Sequence, residues 1–451
     1  MFTRDQETIV AQCSPSGSGA IGLIRLSGIN ALEVADKISS KKISAVPTHT
    51  IHYGSVLDRN GLQIDKVLFL VMHGPHTFTG QNTVEITCHN NPFIIQTIIQ
   101  EVIKAGARLA DNGEFTRRSM LNDKIDLVQA EAINELIHAN TQHTLKQSLK
   151  QLDGSFSNWI ATIEKDLIKA LALSEASFEF IEEENLEFGT QIKNIITAIE
   201  STITQLKKTF DQQQHIRNGI RIALIGSVNA GKSSLFNSLL NAKRAIVTNL
   251  PGTTRDVIEA GLYKNGNYWT LIDTAGIRKT NNLIEKEGIK RSFEEAHKAD
   301  VILLVVDGSK EMDPIEQSVY QDLFEQFKHK CLVIRSKIDL PQASIEWLSH
   351  KNYHPSNLSS MSSIEQFIEN KIQLLFDSIE SPFLINRRQF NLMLRLEQKL
   401  AAITQLLDGP IAYELVSYHL NTALADLAEL TGKSISEAGM DAVFREFCVG
   451  K

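Results

Sequence analysis

The residues best suited to chemistry lie together in one stretch, Gly226-Ser227-Val228-Asn229-Ala230-Gly231-Lys232-Ser233-Ser234. Glycine, four residues and then Gly-Lys-Ser is the form of a loop that wraps phosphates. Its glycines let backbone N–H groups close around an anion, and the helix that opens there favours negative charge at its N-terminus. In such a loop Lys232 reaches the β- and γ-phosphates of a nucleoside triphosphate, and the Ser233 hydroxyl holds magnesium. The loop needs a buried strand before it and a helix after it. The apolar run at 221–225 and the helically spaced apolar residues at 235–240 meet that need.

Three further segments follow in the order that a nucleotide switch requires. Asp273-Thr274-Ala275-Gly276 closes a predicted strand, where Asp273 can reach the magnesium shell through water and the Gly276 N–H can sense a γ-phosphate. Gly252-Thr253-Thr254-Arg255-Asp256 lies between the two motifs, and a threonine there can complete the magnesium coordination. Arg335-Ser336-Lys337-Ile338-Asp339 follows another strand. Asp339 can accept from the guanine N1–H and amino group, a donor pair that adenine lacks. Lys337 can lay its stem along the base, and Ser336 stands where asparagine is usual, with a hydroxyl too short for the same amide contacts. A last base-contacting loop is matched only poorly by Asn357-Leu358-Ser359. Together these segments point to GTP rather than ATP. Ile277 occupies the position where Ras-like GTPases carry a water-orienting glutamine. Glu285, a little further along, is the candidate to replace it, and Arg255 and Arg278 read equally as charge stabilisers or as surface arginines.

The elements that position these residues belong to a longer chain. Its 451 residues suit two to four domains, and 42% hydrophobic with 22% charged residues is a globular composition. A formal net charge of −7 excludes a wholly basic nucleic-acid binder and leaves room for a local basic patch. Cys13, Cys88, Cys331 and Cys448 are scattered, without metal spacing or a disulfide framework. The N-terminus lacks the apolar core of a signal peptide, and no apolar run is long enough to span a bilayer, so a cytoplasmic protein with no membrane association is expected. Residues 1–117 mix strands (21–26, 66–72, 83–88) with a helix at 91–107. Helical patterns then run through 127–137, 141–173 and 191–213, with the acidic run Glu182-Glu183-Glu184 as a solvated turn. Residues 217–380 alternate strand and helix as in a parallel α/β sheet, and helices return at 390–407 and 412–430. The expected fold is multidomain α/β. An N-terminal α/β domain covers 1–117, a helical domain is split between 118–216 and 381–451, and a Ras-like phosphate-loop domain at 217–380 is inserted between its halves.

With these motifs in hand, the whole chain resembles the MnmE (TrmE) family of tRNA-modification GTPases. The blocks that carry the resemblance are Gly22-Leu23-Ile24-Arg25-Leu26-Ser27-Gly28, Phe78-Thr79-Gly80 with Val84-Glu85-Ile86, Gly113-Glu114-Phe115-Thr116-Arg117-Arg118, Leu121-Asn122-Asp123-Lys124-Ile125-Asp126-Leu127 and the ending Phe447-Cys448-Val449-Gly450-Lys451. The resemblance implies an N-terminal domain that forms the homodimer and binds 5-formyl- or 5,10-methylene-tetrahydrofolate through Arg25, Glu85, Lys124 and Lys451. His89-Asn90-Asn91 departs from the family's His-Gly-Gly, and asparagine is the substitute that best tolerates left-handed backbone angles. It further implies potassium held by Asn229 within a loop formed by Thr248, Leu250 and Thr253, with Glu285 as the catalytic carboxylate. Ala230, Gly231 and Ser234 complete the implied GTP contacts, and Thr254 joins Ser233 on magnesium. Cys448 is read as a small buried residue in preference to a nucleophile. The implied reaction modifies the 5 position of the wobble uridine in tRNA. It proceeds with a partner, MnmG (GidA), that carries FAD and uses NADH, in a heterotetramer. The competing reading is a GTP-switched RNA-binding or ribosome-assembly factor, which would be expected to carry a basic RNA-binding module that the sequence does not display.

Overall fold

The computed structural model describes residues 6–177, 188–208, 210, 219–240, 246–248, 258–264, 266–273, 284–312, 314–341, 343, 351–352, 358–377, 383–408 and 410–450. The chain divides into two compact units. One comprises Met1–Ile137, Leu149–Glu200 and Asn391–Lys451, and the other His138–Ser148 and Ser201–Phe390.

The first unit opens with a six-stranded sheet built from β1 (Ile9–Gln12), β2 (Gly19–Ser27), β3 (Thr50–Leu57), β4 (Gln63–Met72), β5 (Thr83–Asn90) and β6 (Arg108–Leu109), in the order β3-β4-β5-β2-β1-β6. All neighbours are antiparallel except β1 and β6. Alternation on β4 shows why one face is buried: Asp65, Val67, Phe69 and Val71 point inward. Helices Ala31–Ile38 and Pro92–Lys104 bury Val34, Ala35, Ile38, Ile95, Ile98 and Val102 against that face. Asn90-Asn91 stands where the family carries Gly-Gly, and no left-handed angle is needed at Asn91. Asn91 is extended and caps the second helix, its side chain accepting from Phe93 N–H at 2.9 Å with Pro92 as the first helical residue. The remaining helices of this unit include Leu127–Ile137, Ser155–Ala176, Tyr413–Thr431 and Glu437–Phe444. The single helical pattern at 141–173 is in fact two helices, Gln142–Leu152 and Ser155–Ala176, because Gly154 adopts φ 93° between them. Glu182-Glu183-Glu184 lies outside the described residues.

The second unit holds a seven-stranded sheet of β7 (Ile220–Ile225), β8 (Ile246–Thr248), β9 (Ile258–Lys264), β10 (Asn267–Asp273), β11 (Val301–Asp307), β12 (Cys331–Ser336) and β13 (Lys351–Asn352). The order is β13-β12-β11-β7-β10-β9-β8. The expected parallel sheet is therefore mixed: β13 through β10 run parallel, whereas β9 runs antiparallel between β10 and β8. The central strands read as unbroken apolar runs because both faces are covered. Ile222, Leu224, Leu303, Val305 and Ile334 enter one core, and Ala223, Ile225, Leu304, Val306 and Val333 the other. Among the described residues no helix is long and apolar enough to cross a membrane.

Candidate functional site

In the second unit the chemistry-bearing residues gather where the parallel strands end at their carboxyl termini, the place where open α/β sheets bind ligands. β7 delivers the chain into 226–231, and the helix Lys232–Leu240 leaves it. The loop's composition answers to its geometry. A Cβ at Gly226 would lie 2.2 Å from the Val305 carbonyl oxygen, and Gly231 has φ 98° with Ser336 packed against it. Asn229 is exposed and left-handed at φ 63°, a conformation asparagine tolerates better than most residues.

Lys232 is only 4% exposed, and its ammonium donates to the carbonyls of Gly226 at 2.6 Å and Ser227 at 2.5 Å. Burial pushes this lysine below its ordinary value, opposed by the Asp273 and Glu316 carboxylates. The Ser233 hydroxyl donates to the Asp273 carboxylate at 3.0 Å. Asp273 is buried at the end of β10 and paired in register with Leu224 of β7, so the sheet itself brings these motifs together. A hydroxyl and a carboxylate side by side are hard oxygen donors of the kind magnesium takes.

The base-reading segment departs from its sequence reading in one respect. Ser336 is buried, and its hydroxyl bonds both the Ala230 carbonyl and, at 3.0 Å, that of Val306. It thus ties this segment to the phosphate loop. One proton serves two carbonyls there, whereas an amide would offer two N–H groups. Ser336→Asn is therefore expected to tighten GTP binding by about five- to tenfold without changing the preference over ATP. Titration with fluorescent GTP and ATP analogues checks this, and weaker GTP binding would mean that the amide does not fit beside Gly231. Asp339 is exposed in the turn that follows. Lys337, at φ 53°, pairs with Asp307 at 2.7 Å. Burial alone would raise the Asp307 carboxyl, but Lys337 and the Ser309 hydroxyl and N–H outweigh it and hold it low. Asp307 went unnoticed in the sequence, although an aspartate ending the apolar run 301–306 was the available signal. Tyr320 also went unnoticed; it receives the Ser227 N–H at 2.5 Å.

Leu250, Thr253, Thr254, Arg255, Gly276, Ile277, Arg278, Asn357 and Lys451 lie outside the described residues. Thr248 ends β8 and Glu285 is the second residue of the helix Ile284–Lys298.

In the first unit Arg25 and Glu85 are register partners on β2 and β5, and they pair with each other at 2.7 Å. The Arg25 guanidinium also lies over the rings of Phe115 and Phe78, at 5.6 and 6.0 Å. Lys124 is exposed and packs its stem beside Gly80. Residues 448–450 return to the sheet: the Cys448 carbonyl accepts from Gly113 N–H, and the Gly450 carbonyl lies 3.0 Å from the Cys13 sulfur. Cys448 itself is exposed rather than buried, because its backbone makes the attachment and its side chain is not needed for it. Desolvation pushes the buried Cys88 and Cys331 thiols up to about 11 and about 12, which keeps both unreactive.

Glu114 completes the picture of this unit. It accepts from Arg108 at 2.6 and 2.8 Å, from Arg118 at 2.8 Å and from Asp111 N–H at 2.9 Å. Arg118 goes on to the Glu7 carbonyl at 2.7 Å and the Gln81 side chain at 3.0 Å.

The comparisons with known proteins agree with one another. A model of the MnmE helical domain matches residues 127–448, and a model of the GTP-binding protein TrmE N-terminus matches residues 8–124. Three curated relatives carry the description tRNA modification GTPase MnmE. That from Carboxydothermus hydrogenoformans is 36% identical over 99% of this chain and 100% of its own length. The Ligilactobacillus salivarius protein is 35% identical, covering 100% and 99%. The Protochlamydia amoebophila protein is 38% identical, covering 99% and 98%. Two family models matched in order, and relatives aligned end to end around an intact phosphate loop, establish that the chain belongs to the MnmE (TrmE) family of tRNA modification GTPases.

Proposed function

We propose that this chain hydrolyses GTP and couples the hydrolysis to modification of the wobble uridine in tRNA. The observation that carries the nucleotide half is the Ser233 hydroxyl 3.0 Å from the Asp273 carboxylate, next to a buried Lys232 already held by the loop. Lys232 takes the β- and γ-phosphates, and Asp339 selects guanine while Asp307 steadies Lys337 beside the base. Magnesium, held by Ser233 and Thr254, supplies charge neutralisation across the phosphates when bound. The Gly276 N–H senses the γ-phosphate, and Glu285 positions the attacking water. In the first unit Arg25, Glu85, Lys124 and Lys451 take the reduced folate that provides a one-carbon unit. On this reading the domain bounds are 1–117, 118–216, 217–380 and 381–451. The protein works in the cytoplasm as a homodimer joined by MnmG, which brings FAD and NADH. Mass spectrometry of tRNA nucleosides from cells lacking the protein tests the coupling. Loss of the modified wobble uridine supports it, and unchanged wobble uridines sink it in favour of a ribosome-assembly or RNA-binding switch.

Potassium belongs to the same reading. Asn229 presents a side-chain oxygen beside the phosphates, with Thr248, Leu250 and Thr253 enclosing the ion, and a monovalent cation there stabilises charge developing on the leaving group. Exchanging potassium for sodium at constant ionic strength should slow turnover. Equal rates in the two salts would remove the ion from the mechanism.

A further inference from the structure

The peptide group joining Gly226 to Ser227 is held on both sides. Its carbonyl accepts the Lys232 ammonium at 2.6 Å, and its N–H donates to the Tyr320 hydroxyl at 2.5 Å. A trans peptide points these two groups in opposite directions, so the phenol and the ammonium face each other across one rigid plane. Tyr320 is buried in the helix Pro314–Phe327, with its ring packed into the apolar core on that side of the sheet. Glu316, one turn earlier on the same helix, takes the phenol's own hydrogen bond. The chain of contacts therefore runs from the Glu316 carboxylate through the Tyr320 hydroxyl and the 226–227 peptide to the Lys232 ammonium. Each bond polarises the next in the same sense.

We propose that Tyr320 is a positioning residue for the GTP reaction: it fixes the plane of the Gly226–Ser227 peptide and so aims the Lys232 ammonium at the site of the β- and γ-phosphates. Without the hydroxyl this peptide is held from the Lys232 side alone, and its carbonyl presents a less fixed acceptor to the lysine. Nucleotide binding would then have to order the loop at the moment of association, at a cost in affinity. The hydroxyl touches neither substrate nor reacting atoms, so its effect falls on binding rather than on the chemical step.

This inference rests on the reading of 226–234 as a GTP phosphate loop, and the test separates the two. The full-length protein and Tyr320→Phe are titrated with fluorescent GDP and GTP analogues. Tyr320→Phe should raise both dissociation constants, and the dissociation rate, about five- to tenfold. Turnover at saturating GTP should stay within about twofold of the original. Glu316→Gln, whose amide oxygen still accepts the phenol proton, should bind almost normally, whereas Glu316→Ala should weaken binding. In a Lys232→Met background Tyr320→Phe should add nothing, because the two act through one peptide. A residue that only fills the core would lower the melting temperature and leave affinity alone. Unchanged affinity in Tyr320→Phe, or the same added loss in the Lys232→Met background, overturns the proposal. If Tyr320→Phe does not fold, unchanged affinity in Glu316→Ala overturns it instead. Failure of the unaltered protein to bind guanine nucleotide would overturn the phosphate-loop reading itself.

Discussion

Glu114→Gln should destabilise the first unit by about 3–5 kcal/mol, the usual consequence of removing one member of a buried ion cluster. Glu114 is 2% exposed and Arg118 1% exposed, so neither charge can turn to water when its partner is lost. The amide keeps the shape and one acceptor oxygen but removes the negative charge on which the Arg108 and Arg118 guanidiniums converge, while Arg108 keeps its pair with Glu7 at 2.5 Å. Burial alone would raise the Glu114 carboxyl; the hydrogen bonds from Arg108 and Asp111 N–H, and the charge of Arg118, outweigh it and hold it below the ordinary range. A lowered carboxyl contributes stability that is fully present above the unfolded glutamate value, about 4.3. That contribution is lost as pH falls through the lower folded value. The original protein should thus lose stability on acidification below about pH 4, while Glu114→Gln should lose less over the same interval. The melting temperature of the variant at neutral pH should fall by roughly 10 °C. A fall under about 2 °C would reduce the cluster to the worth of an exposed ion pair.

Glu285→Ala should cut potassium-stimulated GTP hydrolysis by about a hundred- to ten-thousand-fold, the range typical of a lost general base or water-positioning group. Ile277 offers no polar atom where a glutamine would orient water, so the attacking water needs another guide. Glu285 is the second residue of the helix Ile284–Lys298, soon after Asp273 in sequence. GTP affinity should remain nearly intact, because this carboxylate need not touch the ground-state phosphates. Single-turnover hydrolysis beside a binding titration separates the two effects. Near-normal turnover would leave Glu285 as a first-turn carboxylate that merely suits the helix dipole.

Much of the nucleotide unit was legible because its signals are local. The strand, glycine turn and helix around Lys232 sit in consecutive residues, and buried parallel strands announce themselves as apolar runs such as 301–306. What escaped the sequence depends on contacts across the fold. Strand β9 pairs antiparallel with both β10 and β8, and strand direction leaves no mark on composition, so its reversal could not be read from the sequence. Tyr320 looks like any helix aromatic until Ser227 N–H is found 2.5 Å from its hydroxyl. Ser336 seemed a weakened base contact because the carbonyls it bonds lie at Ala230 and Val306, far away in sequence. In the first unit the family-like block 113–118 was visible as a string of residues. Its meaning as a charge cluster needed Arg108, Arg118 and the Asp111 N–H to converge on a single carboxylate.

The way the first unit closes sets an order of events on the ribosome. Phe444 and Phe447 pack on Leu127 and Ala130, and Gly450 lies against Cys13, so this unit is finished by residues made more than three hundred positions after its sheet. The seven strands of the second unit are all drawn from Ile220 to Asn352 and leave the exit tunnel before those residues exist. Domains tend to fold as they emerge, so the nucleotide-binding sheet assembles while the first unit is still waiting for its last helix. A chain released early, for instance near residue 400, would carry a complete phosphate loop in one unit and leave Leu127 and Ala130 of the other without Phe444 and Phe447 to cover them. An apolar surface left open in this way is the kind chaperones and proteases recognise.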